Sequence, residues 1–492
     1  VTVADGSTVL QATEAAGWDV QVENSDYGKF VTSINGIANG SEGDASGWVY
    51  TVNDEQVMEA CDVRQLTAGD SVQWSFYVGY PAARVIRRAP PREEPALQLR
   101  CFSWRSKEFP MIILDEPYAS VPLLDWMEAS AHPVLTNEFT EKLTAGGCAL
   151  NLVDAAECAR RLEAGERIYT NSENALAWIL DHVENPTLTD AIRLFKDKAA
   201  MREKLAPLSP GLFHETVDRA GLEAVNVADL PLPVVLKPSV GFCSMGVYVI
   251  EEPEADIARR EDGWHERYPE SVVGSSEYLI EGYLAGTEYA LDAYFDEGGT
   301  PHILNILRHD FAGPEDTSDR MYLTDGAIVD AWNDRFTAWL AAMNKVLGAR
   351  SIPVHVELRV DEDTIAPIEF NPLRFAGLGG TDVAFYGVGL RTYEAFLEDT
   401  PVDLEALYAA HPGKVYSMSL LNPAPEADLA RPFDGAALCE RFSHVLAYHG
   451  FDPVTVGFYG FLFLETDAEG TGADERDWLL RSDLMEFVGG AL

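Results

Sequence analysis

Residues 353–380 read PVHVELRVDEDTIAPIEFNPLRFAGLGG. The run PVHVELRV and the run ending in IEF flank a polar DEDT turn, the pattern of two antiparallel strands. Glu357 lies on the first, and Glu369 and Asn371 lie two residues apart on one face of the second. Carboxylates directly opposite each other repel, so a hairpin that faces Glu357 with Glu369 makes sense with a cation between them. Carboxylates and amides are the ligands that a hard cation such as Mg2+ takes. The bland alternative is a solvated face whose acids splay outward or pair with Arg359 and Arg374. Convergence requires an odd loop, expected at residues 362–364, with a bulge beside it.

Three stretches upstream carry matching chemistry. FKDKAAMREKL (195–205) places Lys198 at the start of an amphipathic helix, where alone it reads as a surface lysine. In LPVVLKPSVGFCSMGVYVIEE (232–252) a buried strand ends at Lys237, a small-residue loop follows, and a strand returns. Gly241 and Gly246 permit tight turning; successive N–H groups there could cradle phosphate, with Ser244 as a further donor. The loop is neither GxxxxGK[ST] nor GxGxxG, and alone it equally fits an ordinary hairpin. EYLIEGYLAGTEYALDAYF (277–295) is a strand broken at Gly282 and Gly286. Its backbone at 279–284 is free for a flat heterocycle such as adenine, and Glu288 can accept from ribose hydroxyls. The competing reading is a crossover with a solvated Glu288.

Together, a lysine before a KP…G…S.G loop, E-x-Y-L-x-G-x-E and E…E-x-N resemble the ATP-grasp superfamily over about residues 190–380. The resemblance implies an ATP-dependent ligase. A carboxylate attacks the γ-phosphate to give an acylphosphate, and an amine, less often a thiol, displaces phosphate. It implies Lys198 and Lys237 on ATP phosphates with Gly241, Ser244 and Gly246 in the lid, and Glu281 and Leu284 at adenine. Glu288 would take ribose, and Glu357, Glu369 and Asn371 would hold Mg2+ or Mn2+. Many members read E-x-N-x-R; here Leu373 stands in that place and Arg374 follows, so the catalytic arginine is assigned to Arg374 or to Arg308, after PHILNIL. His355 alternates with Glu357 but reads as a core or surface histidine. The partners that the resemblance implies are ATP and small carboxylates and amines.

The implied fold is ATP-grasp (α/β and α+β), preceded by a small parallel-sheet domain and a small β-rich N-terminal domain. The expected divisions are 1–78, a linker at 79–110, 111–190, 191–400 and an α+β subdomain at 401–492. Residues 1–78 open on GSTVL, read as a short strand and helix, and continue through SINGI, GWVYTVNDE and LTAGDSVQWSF. They resemble the C-terminal domain of transcobalamin-type cobalamin carriers, a secreted or surface module. The rest looks cytoplasmic: six cysteines show no CxxC pair or dense framework. The chain opens on Val1 with no signal peptide, as a fragment or processed product would, and no apolar run reaches transmembrane length. A net charge of -44 excludes nucleic acid or an anionic membrane as a bulk electrostatic partner. The other function class is a surface or ligand-binding protein defined by its front domain, with the ATP-grasp part inactive or joined by a gene-model error.

Overall fold

The computed structural model describes residues 7–16, 18, 20–25, 28–34, 37–38, 47–52, 55–56, 60–67 and 72–77 in the front of the chain. It describes 109–489 apart from 131, 210, 240–246, 254–276, 314–315, 317 and 363. The lid residues Gly241, Ser244 and Gly246 and nearly all of the 79–110 linker therefore lie outside the described residues. Two units emerge, residues 1–83 with 137–150 and residues 84–136 with 151–492.

In the first unit, Thr8 and Gln11 form a capping box on the helix Val9–Ala15, satisfying two amides that the first turn leaves open. Among the described residues before this helix, Thr8 bridges to Gln65, and most of the segment expected as a strand lies outside the described residues. Two antiparallel three-stranded sheets follow: β1 (Val20–Ser25), β2 (Gly28–Ile34) and β3 (Ile37–Ala38), then β4 (Gly47–Val52) between β5 (Glu55–Gln56) and β6 (Val72–Tyr77). Val9, Leu10, Val31, Ile34, Tyr50 and Val52 fill their core.

The second unit holds three sheets. β7 (Met111–Ile113), β8 (Pro133–Leu135), β9 (Asn151–Val153) and β10 (Ile168–Thr170) form the expected small parallel sheet, in the order β10-β7-β8-β9. β11 (His214–Asp218), β12 (Val234–Pro238), β13 (Tyr248–Ile250) and β14 (Glu277–Gly282) form an antiparallel sheet with its own core of Leu222, Val234, Leu236, Tyr278 and Ile280. The third sheet has eight strands. These are β15 (Thr287–Phe295), β16 (Pro301–Asp310), β17 (Met321–Asp325), β18 (Ile352–Asp361), β19 (Thr364–Pro372), β20 (Lys414–Leu420), β21 (Val445–Gly450) and β22 (Gly460–Asp467). The segment from 401 thus extends this sheet. Within PVTVGFYGFLFLE only the part from Gly460 is strand, because Asp452 caps a helical turn over Pro453–Val456 with proline in its favoured first-turn place.

Residues two apart share a face, and the ladders of the large sheet sort its side chains cleanly. Tyr289, Leu291, Ile306, Val356, Leu358 and Phe370 turn to the hydrophobic core beneath the helix Gly326–Leu347, where Tyr289 meets Trp332 and Phe336, and Phe370 meets Trp339. The register puts Glu288, Asp292, Asn305, His309, His355, Glu357, Arg359, Glu369 and Asn371 on the other face. β14 and β15 are joined by residues 283–286. Gly286 has φ 90°, and a Cβ there would lie 2.0 Å from the Val360 carbonyl oxygen, so the link can pass the sheet only as glycine. Among the described residues no helix is long and apolar enough to cross a membrane.

Candidate functional site

The hairpin brings Glu357 directly opposite Glu369, and His355 opposite Asn371. The route differs from the odd loop expected at 362–364. Asp361 pairs with Thr364, leaving two positions between the strands, and Glu362 adopts φ 51°. A two-residue loop alone would put Ile368 opposite Glu357. The register shifts by one between Glu357 and Leu358, so Ile368 is the bulged residue and Glu369 takes the facing position. Neither acid pairs with Arg359 or Arg374.

Lys198, first residue of the helix Lys198–Leu205 that Asp197 caps, reaches this pair, its Nζ 2.7 Å from Glu369 Oε2. Asn371 Nδ2 donates to Glu369 Oε1 at 2.9 Å, and its Oδ1 is the atom a cation would use. Burial opposes a charge on Glu369, but Lys198 and the Asn371 hydrogen bond outweigh it and hold the carboxyl far below its usual range. Glu357 has no such partner: burial and then the Glu369 charge push it well above the usual range. For Lys198, burial lowers and Glu369 raises the pKa, and Glu369 prevails. With both acids ionised, a single lysine leaves the pair short of positive charge, and two carboxylates with an amide oxygen fit a hard divalent cation. Among the described residues no three His, Cys, Asp or Glu side chains gather as a metal centre, so the remaining ligands would be water and phosphate oxygens.

Behind the pair, His355 Nδ1 lies 2.8 Å from Asp292 Oδ1, which also accepts from the Ala376 amide at 2.7 Å. His355 Nε2 stands 3.7 Å from Glu357. The histidine is buried, as expected of a core residue, yet it touches the acid pair.

Lys237 is the last but one residue of β12, which runs one residue further than expected, and is buried, its Nζ 2.5 Å from Glu281 Oε1. Arg202 Nε meets the other Glu281 oxygen at 2.7 Å. Burial, with Arg202 and Lys198 close by, lowers the Lys237 pKa in spite of Glu281. Burial works against Glu281 ionising, but the two cations keep its pKa low. The Glu281 side chain is thus engaged, and its main chain lies in a paired strand: β14 runs between β11 and β12 with Glu281 opposite both His214 and Val235, and Tyr283 N donates to Pro233 O at 3.0 Å, so the backbone expected to be free over 279–284 is paired through 283. Next to it, Leu284 O accepts from Arg359 at 3.0 Å. Glu288 accepts from Arg359 Nε and Nη2 at 3.0 and 2.9 Å and lies 2.9 Å from His309 Nδ1.

The two candidate arginines part ways. PHILNIL continues as strand through Asp310, so Arg308 falls on the face opposite His309 and forms a two-point pair with Asp310 at 2.7 and 2.8 Å. It does not join the cluster. Arg374 does: Leu373, at φ 64°, swings the chain at the end of β19, and Arg374 Nη2 reaches Glu173 at 2.9 Å. Sequence reasoning passed over Glu173, Lys196, Arg202 and Asp292. Lysine rarity was a usable signal for Lys196, since only nine lysines occur in the chain and three of them, 196, 198 and 237, meet here.

The ATP-grasp domain family matches residues 230–382, and a domain of unknown function (DUF4430) matches residues 6–77. No curated protein matches the sequence. The L-amino acid ligase from Bacillus licheniformis is 16% identical, with 78% of this chain and 98% of its own covered at a TM-score of 0.55. Carboxyaminoimidazole ribonucleotide synthase from Aspergillus clavatus, complexed with ATP, is 16% identical over 77% of this chain and 99% of its own, TM-score 0.51. N5-carboxyaminoimidazole synthetase from Staphylococcus aureus, complexed with ADP, is 14% identical over 76% and 96%, TM-score 0.51. Such likeness at low identity establishes the fold, which is ATP-grasp. The DUF4430 match carries no function, and the cobalamin-carrier resemblance of that region stays an expectation.

Proposed function

We propose that the chain is an ATP-dependent ligase that joins a carboxylate to an amine, or less often a thiol, through an acylphosphate. The observation that carries this reading is the facing of Glu357 and Glu369 by a bulge, with Lys198 seated on Glu369. Nothing in a merely structural hairpin calls for half-buried acids to be aligned so; a cation and a triphosphate do. The fold it shares with the L-amino acid ligase from Bacillus licheniformis supports the same class of reaction.

Glu357, Glu369 and Asn371 would hold Mg2+ or Mn2+. Bound there, the metal would neutralise phosphate oxygens and fix their orientation. Lys198 stays cationic because Glu369 raises its pKa, so it can trade the carboxylate for a phosphate oxygen without a proton transfer. Lys237, whose pKa burial lowers, would leave Glu281 for a phosphate oxygen whose negative charge favours the ammonium form. The main chain of Leu284 and the second lone pair of the Glu281 carbonyl would take adenine, and Glu288 would accept ribose hydroxyls in exchange for one of its present partners. Gly241, Ser244 and Gly246 are assigned to phosphate from the sequence alone. Arg374 is the arginine of this reading, at the carboxylate or γ-phosphate. These residues lower the barrier by positioning and charge; no general base is needed for a carboxylate to attack phosphorus.

A screen of phosphate release from ATP over pooled carboxylic acids and amines tests the reading. Release is expected to need Mg2+ and a carboxylate, with an amide product by mass spectrometry. ATP left intact across the screen, or consumed without any acid, would reject it.

A further inference from the structure

A cleft of about 580 Å³ opens beside the helix Pro186–Lys196, a size that suits a small-molecule site. Leu188, Ala191, Leu194 and Phe195 of that helix line it, with Leu347 from the end of the helix Gly326–Leu347 and Ile352 from the start of β18. Phe195 also stacks on Phe370, with ring centroids 5.5 Å apart and planes 13° from parallel. Phe370 lies on the core face of β19, whereas Glu369 and Asn371 lie on the other. The strand β19 therefore separates the cleft from the acid pair.

The charges around the cleft are unevenly matched. Three acids line it and each is engaged: Glu166 with Arg161, Asp190 with Arg193 at 3.3 Å, and Glu163 with the Glu184 amide at 3.3 Å. Two cations line it as well, Lys204 and Arg350, both exposed, and among the described residues no carboxylate pairs with either. In a chain with 80 acidic and 36 basic residues an acid is the commoner neighbour, so two unmatched cations at one cleft call for an outside anion. Among the described residues Arg350 makes one hydrogen bond, from Nη1 to the Glu297 carbonyl at 2.8 Å, which leaves its other donors for a ligand. The turn that carries it is fixed from behind. Asn344 bonds the Gly299 and Ala349 carbonyls and the Ala349 amide at 2.7, 2.9 and 2.7 Å. Ser351 holds φ 50°, a conformation that a residue other than glycine keeps where its surroundings impose it.

We propose that this cleft binds a small organic anion with an apolar body, its chain or ring against the helix Pro186–Lys196 and its acid group toward Lys204 and Arg350. A neutral or cationic ligand would leave the two cations unmatched, and an inorganic anion would leave the apolar wall in water. With β19 between them, the occupant is not an acid phosphorylated at the Glu357–Glu369 pair, so the proposal does not rest on the ligase reading.

Calorimetry of the full-length protein with octanoate, and with octylamine and 1-octanol as its cationic and neutral counterparts, tests this. The parent is expected to bind octanoate at one saturable site, about tenfold or more tightly than either counterpart. The double variant Lys204→Gln, Arg350→Gln changes two exposed side chains and should weaken octanoate about tenfold, the upper scale for two exposed charge contacts. Ala191→Phe fills the cleft and should abolish the site. Cooperative unfolding at the parent's midpoint identifies each variant as folded, and if Ala191→Phe does not fold the double variant decides alone. No saturable binding of octanoate by the parent, equal binding of octylamine, or an octanoate affinity unchanged in either folded variant would overturn the proposal.

Discussion

Replacing Lys198 by methionine removes the one cation in contact with the acid pair while keeping the length of the side chain. The lysine and Glu369 side chains are 11% and 16% exposed, so water can relieve little of the lost contact. Breaking a buried ion pair by deleting one partner costs about 3–5 kcal/mol; the residual exposure argues for about 3 kcal/mol here. The loss depends on pH. Glu369 has its pKa depressed in the folded parent, so its contribution is complete above the unfolded carboxyl value of about 4.3 and fades as pH falls through the folded value. The gap between parent and variant is therefore largest near neutrality and narrows in acid. Mg2+ should refill the site better in the variant, where no ammonium competes for Glu369. At ten times its dissociation constant it would return about 1.4 kcal/mol. Urea midpoints at pH 8 and near pH 3, with and without Mg2+, measure all of this. An equal loss at both pH values, or an equal Mg2+ response in parent and variant, would refute the reasoning.

Lys237→Ala should weaken MgATP binding by about 1–3 kcal/mol, read by calorimetry, while Arg202 continues to hold Glu281. Gly286→Ala forces a Cβ to within 2.0 Å of the Val360 carbonyl oxygen at φ 90°, so the link between the two antiparallel sheets must shift. A loss of more than about 1 kcal/mol is expected in its urea midpoint. Asp292→Asn keeps the shape but loses the charged acceptor for His355 Nδ1 and the Ala376 amide; about 1–3 kcal/mol of stability should go with it, again by urea midpoint.

The cation set was legible because strand periodicity is local: Glu369 and Asn371 must share a face wherever β19 lies. The loop was misread because Ile368 is β-branched and looks like any strand residue, so nothing in the local pattern marks it as a bulge. Arg308 was misplaced by a boundary. RHD continues the strand after PHILNIL, and parity then sends the guanidinium to the far face. Glu173 was illegible for another reason: TNSENALAW reads only as a helix start, and its Arg374 partner lies 201 residues away. Asp292 did leave a trace, a charged residue inside the apolar run EYALDAYF, whose cost of burial demanded partners.

Binding of Mn2+ with ATP to the parent and to a Glu357→Gln, Glu369→Gln double variant, followed by electron paramagnetic resonance, tests the central claim most directly. The parent is expected to take up the metal together with the nucleotide. The double variant should lose that uptake and still bind metal-free ATP weakly through Lys198 and Lys237. Equal uptake of Mn2+ and ATP by the two proteins would contradict the account.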